Sequence, residues 1–375
     1  MKSLDELLTI AELIENKHVL EWKNKGSKII GYACTYMPEE ILYAFDMLPY
    51  RLTGKGAYDT SLADSYLARV NCSFCRSCLE LGITGKYDFL DGAVFITGCD
   101  HNRRVFDNWK AHPKALPFMH MLPVPHLISD DGFNWFKEEV ILLIEALERH
   151  FELKFSPEKL KAAIALYNET RRLLRKLYEL RAGEAPPLSG AEMLGILAAA
   201  SAMPKGIFNK LLQSLLEEIR AKETPKSDKA RLLIAGSLMD EPEFLKNIED
   251  MGAVVVTYFL CFGTRSFWEF TDENKDLITA LCRRYYNHAS CPRMAGEYKS
   301  RLKFIKEQIK LAKVDGVILE SLKFCDLHGT DNSLLKNDLE KEGIYVIELE
   351  RQYGPLSDAG RIRTRVQAFL ERIRG

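Results

Sequence analysis

The sequence lacks the features that mark membrane, nucleic-acid-binding and exported proteins. Its 375 residues contain no run of about 18 apolar residues, so no membrane span is expected. Lys and Arg number 52 against 53 Asp and Glu, a net charge of −1, whereas a general nucleic-acid binder is usually basic. The N-terminal segment alternates acids with leucines and has no cleavable apolar core. We therefore expect a cytoplasmic protein without a nucleic-acid partner.

Common nucleotide-binding and hydrolase motifs are also missing. The chain has neither G-x-x-x-x-G-K-[ST] nor G-x-G-x-x-G, which cradle phosphates in ATPases and dinucleotide-binding domains. It has neither G-x-S-x-G nor H-E-x-x-H, which carry hydrolytic chemistry. The sequence therefore gives no support for ATP hydrolysis, the usual dinucleotide binding or hydrolysis by this chain.

Apolar runs of strand length alternate with amphipathic helices, a pattern typical of α/β proteins with parallel sheets. The central stretch, Asp131–Lys222, is predicted to be helical apart from an interruption at Gly183–Gly190, and a polar linker follows at Lys222–Ala230. The predicted strands are Ile29–Ala33, Tyr50–Thr53, Gly92–Ile96, Phe118–Leu122, Leu232–Ala235, Ala253–Tyr258, Val317–Leu319 and Tyr345–Leu349.

The two α/β series repeat one plan. Asp91–Asp100 (DGAVFITGCD) and Asp315–Asp326 (DGVILESLKFCD) each contain Asp-Gly, a buried strand and a Cys-Asp pair at its carboxyl end. Ligands of open α/β sheets bind beyond the carboxyl ends of strands. We therefore predict two similar Rossmann-like lobes, at 1–130 and 230–375, with a helical segment and linker at 131–229 and a shared cleft.

Nine cysteines are present, an odd number that argues against a disulfide framework in a chain without an export signal. Cys34 and Cys282 are interpreted as small buried packing residues. Cys72, Cys75 and Cys78 form C-x2-C-x2-C, a spacing found in iron–sulfur proteins. The ferredoxin pattern would continue with a cysteine where this chain has Gly82.

The most economical cluster site takes one thiolate from each of three segments, namely Cys72, Cys99 and Cys325. Such a site leaves one iron without a protein thiolate, or with another ligand, by analogy with open catalytic zinc sites. A structural zinc site is the alternative, but structural zinc favours paired C-x-x-C knuckles, which Cys99 and Cys325 lack.

The chain resembles the family of 2-hydroxyacyl-CoA dehydratase and benzoyl-CoA reductase subunits. The resemblance runs through nearly the whole chain in the family's order. It is carried by Tyr36–Pro49 (YMPEEILYAFDMLP), Asn71–Gly82 (NCSFCRSCLELG), Thr97–Trp109 (TGCDHNRRVFDNW), Cys261–Trp268 (CFGTRSFW), Asp315–Asp326 (DGVILESLKFCD) and Gly360–Glu371 (GRIRTRVQAFLE).

The resemblance implies a subunit of an acyl-CoA dehydratase (a lyase) or reductase (an oxidoreductase) of anaerobic metabolism. A 4Fe-4S cluster between the lobes would be held by Cys72, Cys99 and Cys325. A paralogous second subunit, or a second copy of the chain, would complete the enzyme. A separate ATP-hydrolysing iron–sulfur activator would supply electrons, which agrees with the missing phosphate-binding motif.

Two other functions remain open at this point. One branch of the family resembles homodimeric reductases of small molecules that carry a double-cubane cluster. That cluster needs about six thiolates, and the additional cysteines available for it are Cys75, Cys78, Cys261 and Cys291. The other alternative is a non-catalytic iron–sulfur electron-transfer protein.

Further polar residues follow the two Cys-Asp pairs. His101 and His328 are interpreted either as loop residues that cap a helix or as donors to a cluster sulfur. Arg103 and Arg104 are interpreted either as surface residues or as ligands of the coenzyme A phosphates.

Overall fold

The computed structural model describes residues 1–57, 59–222, 225–354 and 359–375. Residues 223 and 224 of the predicted linker lie outside the described residues. In the described part of the chain, no helix is long and apolar enough to cross a membrane.

The α-helices are α1 (Lys2–Glu12), α2 (Lys17–Asn24), α3 (Glu39–Ala44), α4 (Ser73–Ile83), α5 (Asp100–Ala111), α6 (Asp130–Phe151), α7 (Pro157–Ala182), α8 (Gly190–Ala200), α9 (Lys205–Arg220), α10 (Pro242–Glu249), α11 (Thr264–Phe267), α12 (Leu277–Asn287), α13 (Tyr298–Leu311), α14 (Asp326–Lys341) and α15 (Ala359–Arg374).

The strands form two parallel sheets of four strands with the same order. The strands are β1 (Ile29–Tyr32), β2 (Leu48–Arg51), β3 (Gly92–Ile96), β4 (Phe118–Leu122), β5 (Ala230–Gly236), β6 (Ala253–Phe259), β7 (Gly316–Leu322) and β8 (Tyr345–Arg351). The first sheet has the order β2-β1-β3-β4 and the second β6-β5-β7-β8. Every pairing is parallel. The predicted α/β fold with two similar Rossmann-like lobes is therefore confirmed.

Some predicted boundaries were wrong, and the reasons are local. β2 starts at Leu48 and contains Pro49, because it lies at the edge of its sheet, where a missing N–H is tolerated. The preceding helix α3 stops at Ala44, since Asp46 adopts a left-handed backbone conformation (φ 60°) that turns the chain into β2. The central helical stretch has additional breaks at 152–156 and 201–204.

Two helices, α1 and α12, share a buried core with the sheet of the other lobe and not with the sheet nearest to them in sequence. Leu4 and Leu7 of α1 are buried in the same core as β5 and β6 residues. Leu281 and Tyr285 of α12 are buried in the core beside β1 and β3. The two lobes therefore share packing elements, and the division at 130/131 and 229/230 stays a prediction.

Candidate functional site

Four cysteines follow the carboxyl ends of parallel strands. Cys34 comes two residues after β1, Cys99 three residues after β3, Cys261 two residues after β6, and Cys325 three residues after β7. In each sheet the strand order reverses between the first and third strands, and such a switch point is where open α/β sheets bind ligands. Cys34 and Cys99 flank the switch point of the first lobe.

The three cysteines predicted to hold a cluster occupy equivalent local positions. Cys72 is the N-cap of α4, Cys99 the N-cap of α5 and Cys325 the N-cap of α14. Free backbone amides and the positive end of the helix dipole lie at a helix N-terminus. Each thiol therefore lies where a thiolate, or a negatively charged group bound to it, is stabilised.

The loops that present these cysteines are held by specific contacts. Phe324, which precedes Cys325, has a left-handed backbone (φ 67°), an uncommon conformation for a residue other than glycine. His101 Nδ1 lies 3.2 Å from the backbone nitrogen of Cys72 and 2.9 Å from Oδ1 of Asn71. His101 is thus a helical residue of α5 that contacts the segment carrying Cys72.

The three thiols lie close enough to influence one another electrostatically. Burial raises the pKa of Cys99 to about 12, and the charge of Cys72 contributes to the rise. Burial also raises the pKa of Cys325 well above its ordinary value, with contributions from Cys72 and Cys99. The backbone amides of Asn102 and His328 oppose these rises in the pKa values of Cys99 and Cys325, respectively. Neither cysteine side chain makes a capping hydrogen bond.

Cys72 differs from the other two because a second thiol faces it. The side chain of Cys75 lowers the pKa of Cys72 by donating a hydrogen bond to its sulfur, and the backbone amides of Cys75 and Phe74 act in the same direction. The same contact with Cys72, together with burial, raises the pKa of Cys75. Cys75 is therefore the protonated partner of this buried pair.

A second group of thiols surrounds a buried arginine. The guanidinium of Arg265 lies 3.3 Å from the Cys261 sulfur. Burial alone would lower the pKa of Arg265, but the neighbouring Cys261, Cys291, Tyr36 and Cys34 side chains raise it. Cys291 also influences the pKa values of Cys99 and Cys325. Of the predicted extra cysteines, Cys291 therefore lies near the trio of Cys72, Cys99 and Cys325, whereas Cys261 lies beside Arg265.

Sequence reasoning missed Cys34, which was interpreted as a packing residue. Cys34 belongs to this second group, because Cys261 and Cys291 contribute to the rise in its pKa after burial. Its position two residues beyond β1 was the one local signal, and that signal alone does not distinguish a site residue from a packing residue. By contrast, Cys282 is buried within α12 among apolar residues, as the sequence suggested. Cys78 points into the first lobe's core, where burial raises its pKa.

Sequence reasoning also missed a buried polar network beside the trio. Glu320 on β7 is fully buried, accepts a hydrogen bond from Ser237 at 2.7 Å and pairs with Arg351 of β8 at 2.8 Å. Burial raises the pKa of Glu320, and its charge acts on Cys72. A buried carboxylate far along the sequence had no local motif to reveal it.

The other predicted polar residues take different places. Burial lowers the pKa of His328 to about 3, so its imidazole is neutral at physiological pH. Arg103 and Arg104 are exposed on α5, within 3.4 Å of Asp100 and 3.8 Å of Asp107, respectively. Both arginines therefore remain accessible to a ligand at the surface.

The trio offers three thiol groups as donors. Within the described ranges, no group of three or more His, Cys, Asp or Glu side chains is arranged to hold one metal ion. A 4Fe-4S cluster makes a different demand, because each thiolate binds a different iron and the sulfur atoms stay apart. Three N-cap cysteines drawn from both lobes meet that demand in residue type and in local environment.

Comparison with known proteins gives a consistent result. The (R)-phenyllactyl-CoA dehydratase beta subunit of Clostridium sporogenes is 26% identical over 96% of this chain and 97% of its own length. One of the benzoyl-CoA reductase subunits of Thauera aromatica is 28% identical over 82% of this chain and 81% of its own length. The (R)-2-hydroxyglutaryl-CoA dehydratase beta subunit of Acidaminococcus fermentans is 25% identical over 94% of each chain.

A family model covers most of the sequence. The model of the 2-hydroxyglutaryl-CoA dehydratase D-component family matches residues 34–373, a span that contains every strand from β2 to β8 and all nine cysteines. The chain therefore belongs to the 2-hydroxyglutaryl-CoA dehydratase D-component family, whose members include subunits of acyl-CoA dehydratases and of benzoyl-CoA reductase.

Proposed function

We propose that this chain is the iron–sulfur subunit of an acyl-CoA dehydratase or of a benzoyl-CoA-reductase-type enzyme. The observation that carries the proposal is the common placement of Cys72, Cys99 and Cys325 as helix N-caps, with Cys99 and Cys325 following the strands β3 and β7 that border the two sheet switch points. These three thiolates would hold a 4Fe-4S cluster. Membership in the family of acyl-CoA enzymes supports a thioester substrate.

The bound cluster would supply single electrons to the thioester and an iron site that polarises a substrate oxygen. Residues of this chain would form the binding site for the cluster. Helix N-terminal amides stabilise negative charge on the three sulfurs. The apolar core around Cys72 excludes water, and this exclusion strengthens every electrostatic interaction at the site. His101 positions the segment that carries Cys72.

The proposal includes two partners. Relatives are named as subunits, which supports a paralogous second subunit or a second copy of this chain. An ATP-hydrolysing iron–sulfur activator would deliver the electrons, since the sequence has no phosphate-binding loop of its own. We place the assembled enzyme in the cytoplasm.

A second function is favoured by a separate observation. Cys291 acts on Cys99 and Cys325, Cys34 acts on Cys99, and Cys261 acts on Cys34, so that a chain of neighbouring thiols continues beyond the trio. A homodimeric reductase of small molecules with a double-cubane cluster would use such a set. Iron content distinguishes the two functions, at about four irons per chain for one cubane and about eight for two.

The direct test is iron and sulfide analysis of the full chain purified without oxygen. We expect Cys99→Ser to lose most of the iron, whereas the matched Cys282→Ser variant, altered at a buried thiol whose pKa no other cysteine influences, should keep it. Equal iron content in both variants would contradict the proposed ligand set.

Activity gives the complementary test. Turnover of an acyl-CoA should require an added activator, and the purified chain alone should not hydrolyse ATP. Stoichiometric ATP hydrolysis by the single chain would contradict the proposal that a separate activator hydrolyses ATP.

A further inference from the structure

A charged cavity lies between the first sheet and the central helices. It has a volume of about 50 Å³ and lies at the junction of β1, β2, α7, α11 and α12. We call it the basic cavity. Its charged lining residues are Glu39, Arg51, Arg171, Lys205 and Arg284, and its polar lining residues include Thr35 and Tyr167. It adjoins the second group of thiols, since the Arg51 guanidinium donates to the Cys261 carbonyl at 3.0 Å.

Two cations of the basic cavity are neutralised by carboxylates. Arg171 pairs with the fully buried Glu40 at 2.5 Å. Lys205 pairs with Glu39 at 3.1 Å. In these two pairs the charges cancel, and each carboxylate stabilises its own cation.

The other two cations have no such counterpart. Among the described residues, no carboxylate oxygen lies within 4.0 Å of a guanidinium nitrogen of Arg51 or Arg284. Both side chains are buried, with exposed fractions of 5% and 6%. Burial, and then the charge of Arg171, lower the pKa of Arg284, and the charges of Tyr285, Glu40 and Glu269 offset only part of that fall. The basic cavity thus carries an excess of positive charge.

Three hydrogen-bond donors of the cavity wall also lack partners. The Thr35 hydroxyl, the Arg51 Nε and the Tyr167 hydroxyl are buried without a hydrogen bond, and each residue is less than one-tenth exposed. Buried polar groups in native proteins are nearly always satisfied by protein, by water or by a bound ion. One acceptor of the wall, Glu39 Oε2, also lacks a hydrogen bond. Three unsatisfied donors therefore face one unsatisfied acceptor, and in a cavity with excess positive charge this imbalance indicates a missing acceptor.

The cavity volume limits the size of this acceptor. A water molecule needs about 10–15 Å³ of such space, so the basic cavity accommodates roughly four non-hydrogen atoms. Water alone would satisfy the hydroxyl groups but would leave the buried Arg51 guanidinium, which has no carboxylate within 4.0 Å, without a counter-charge, which is costly. An anion of this size satisfies the donors and the charge together.

We propose that the basic cavity binds a small monovalent anion of about the size of formate or bromide. Arg51 Nε and the hydroxyls of Thr35 and Tyr167 donate to the anion, and the Arg51 guanidinium supplies the compensating positive charge. Arg171 and Lys205, held by their carboxylates, shape the wall. This site is independent of the proposed function, because binding requires neither a cluster nor an acyl-CoA.

The first experiment locates the anion directly. Crystals of the full chain, grown and soaked in sodium bromide without oxygen, should show an anomalous bromide peak in the basic cavity. Crystals held in sodium gluconate, whose anion is far too large for the cavity, should show none there. A cavity filled only with water in the bromide crystals would overturn the proposal.

The second experiment measures binding in solution by thermal unfolding. At constant ionic strength, replacing gluconate by formate should raise the melting temperature by about 2–5 °C, because only the folded chain binds the anion. Tyr167→Phe keeps the ring that packs on Lys205 but removes an unpartnered donor, so the shift should shrink by at least half.

The matched control is Tyr43→Phe. Tyr43 packs edge-on against the Tyr167 ring at 5.8 Å between centroids but does not line the cavity. It should show the wild-type response to formate. Equal responses in both variants, or no formate response in the wild type, would overturn the proposal, and neither result depends on iron content or turnover.

Discussion

The hydroxyl of Tyr353, beyond the last strand of the second lobe, accepts a hydrogen bond from the backbone amide of Gly54 in the first lobe at 3.0 Å. The same hydroxyl donates to Asp240 at 2.9 Å, and Asp240 accepts from Thr53 at 2.5 Å. The backbone amide of Tyr353 donates to Ser73, next to Cys72, at 2.8 Å. One residue therefore ties both lobes to the segment that carries Cys72.

Removing this hydroxyl should loosen the junction between the lobes. Burial raises the pKa of Tyr353 well above its ordinary value, so the hydroxyl keeps its proton and remains a donor. Tyr353→Phe preserves the ring that packs on Phe74 but leaves the Gly54 amide unsatisfied. We expect a loss of about 1–3 kcal/mol in the free energy of unfolding, measured by urea denaturation.

The control for Tyr353→Phe is Tyr345→Phe on the adjoining strand β8. Tyr345 is 37% exposed, so its substitution should change stability by no more than about 0.5 kcal/mol. If both variants unfolded at the same urea concentration, the Tyr353 hydroxyl would not join the lobes energetically.

A second prediction concerns the buried ion pair between Glu40 and Arg171. Burial by itself would raise the pKa of Glu40, but Arg171 and Arg284 outweigh it and lower the pKa. Arg171→Met leaves a buried carboxylate without its main partner and should cost about 3–5 kcal/mol in urea denaturation. Adding Glu40→Gln to that variant removes the unpaired charge and should restore part of the loss.

The neighbouring Arg172 provides the control for this pair. Its guanidinium is half exposed and pairs with Glu169 on the surface of α7. Arg172→Met should cost less than about 1 kcal/mol, since exposed ion pairs contribute little. A cost for Arg171→Met as small as that for Arg172→Met would disprove the role of the buried pair.

A third prediction follows from the buried imidazole of His288. Its Nδ1 lies 2.5 Å from the Tyr285 carbonyl oxygen, and its Nε2 has no hydrogen-bond partner. Burial, with Arg284, Arg265 and Arg293 nearby, lowers its pKa well below the ordinary value. Below about pH 6.5 the unfolded chain binds a proton here that the folded chain does not, so stability falls as pH falls.

The pH effect of His288 is measured as a difference between variants. His288→Asn keeps a donor for the Tyr285 carbonyl but cannot titrate, so its stability should fall less between pH 7.5 and pH 5.5 than that of the wild type. The expected difference is up to about 1.4 kcal/mol per pH unit. The exposed His150→Asn variant should follow the wild type. Parallel curves for all three proteins would contradict the assignment.

The architecture could be predicted because it depends on local sequence patterns. The strands Gly92–Ile96 and Phe118–Leu122 were placed to the residue, since each is a short apolar run between turn signals. The repeated strand and Cys-Asp plan predicted two lobes of one topology. Pro49 concealed the start of β2, because a proline argues against a strand unless the strand's edge position is known.

The parts of the site that were missed depend on contacts between distant residues. Glu320 and Arg351 meet only through sheet pairing, and Tyr353 meets Gly54 only through the packing of two lobes. No spacing along the chain encodes such contacts. Cys34 was missed for a different reason, because a single cysteine after a strand is indistinguishable from a packing residue until its neighbours are known.

The last prediction separates one cubane from two by means of the additional cysteines. Cys75 keeps its proton, because its contact with Cys72 and burial raise its pKa, so it acts as a hydrogen-bond donor to Cys72. A serine hydroxyl can donate in the same way but does not readily replace a ligand thiolate. Cys75→Ser should therefore leave the iron content nearly unchanged, and we expect the same for Cys291→Ser.

Iron analysis of both variants beside Cys99→Ser decides between the two cluster types. With one cubane, only Cys99→Ser loses its iron. With a double cubane, Cys75→Ser or Cys291→Ser should lose about half of the iron, because a bridged pair of cubanes needs about six thiolates. Far-UV circular dichroism on the same samples verifies that each variant is folded. A folded Cys75→Ser or Cys291→Ser protein with half the wild-type iron would replace the single-cubane proposal with the double-cubane one.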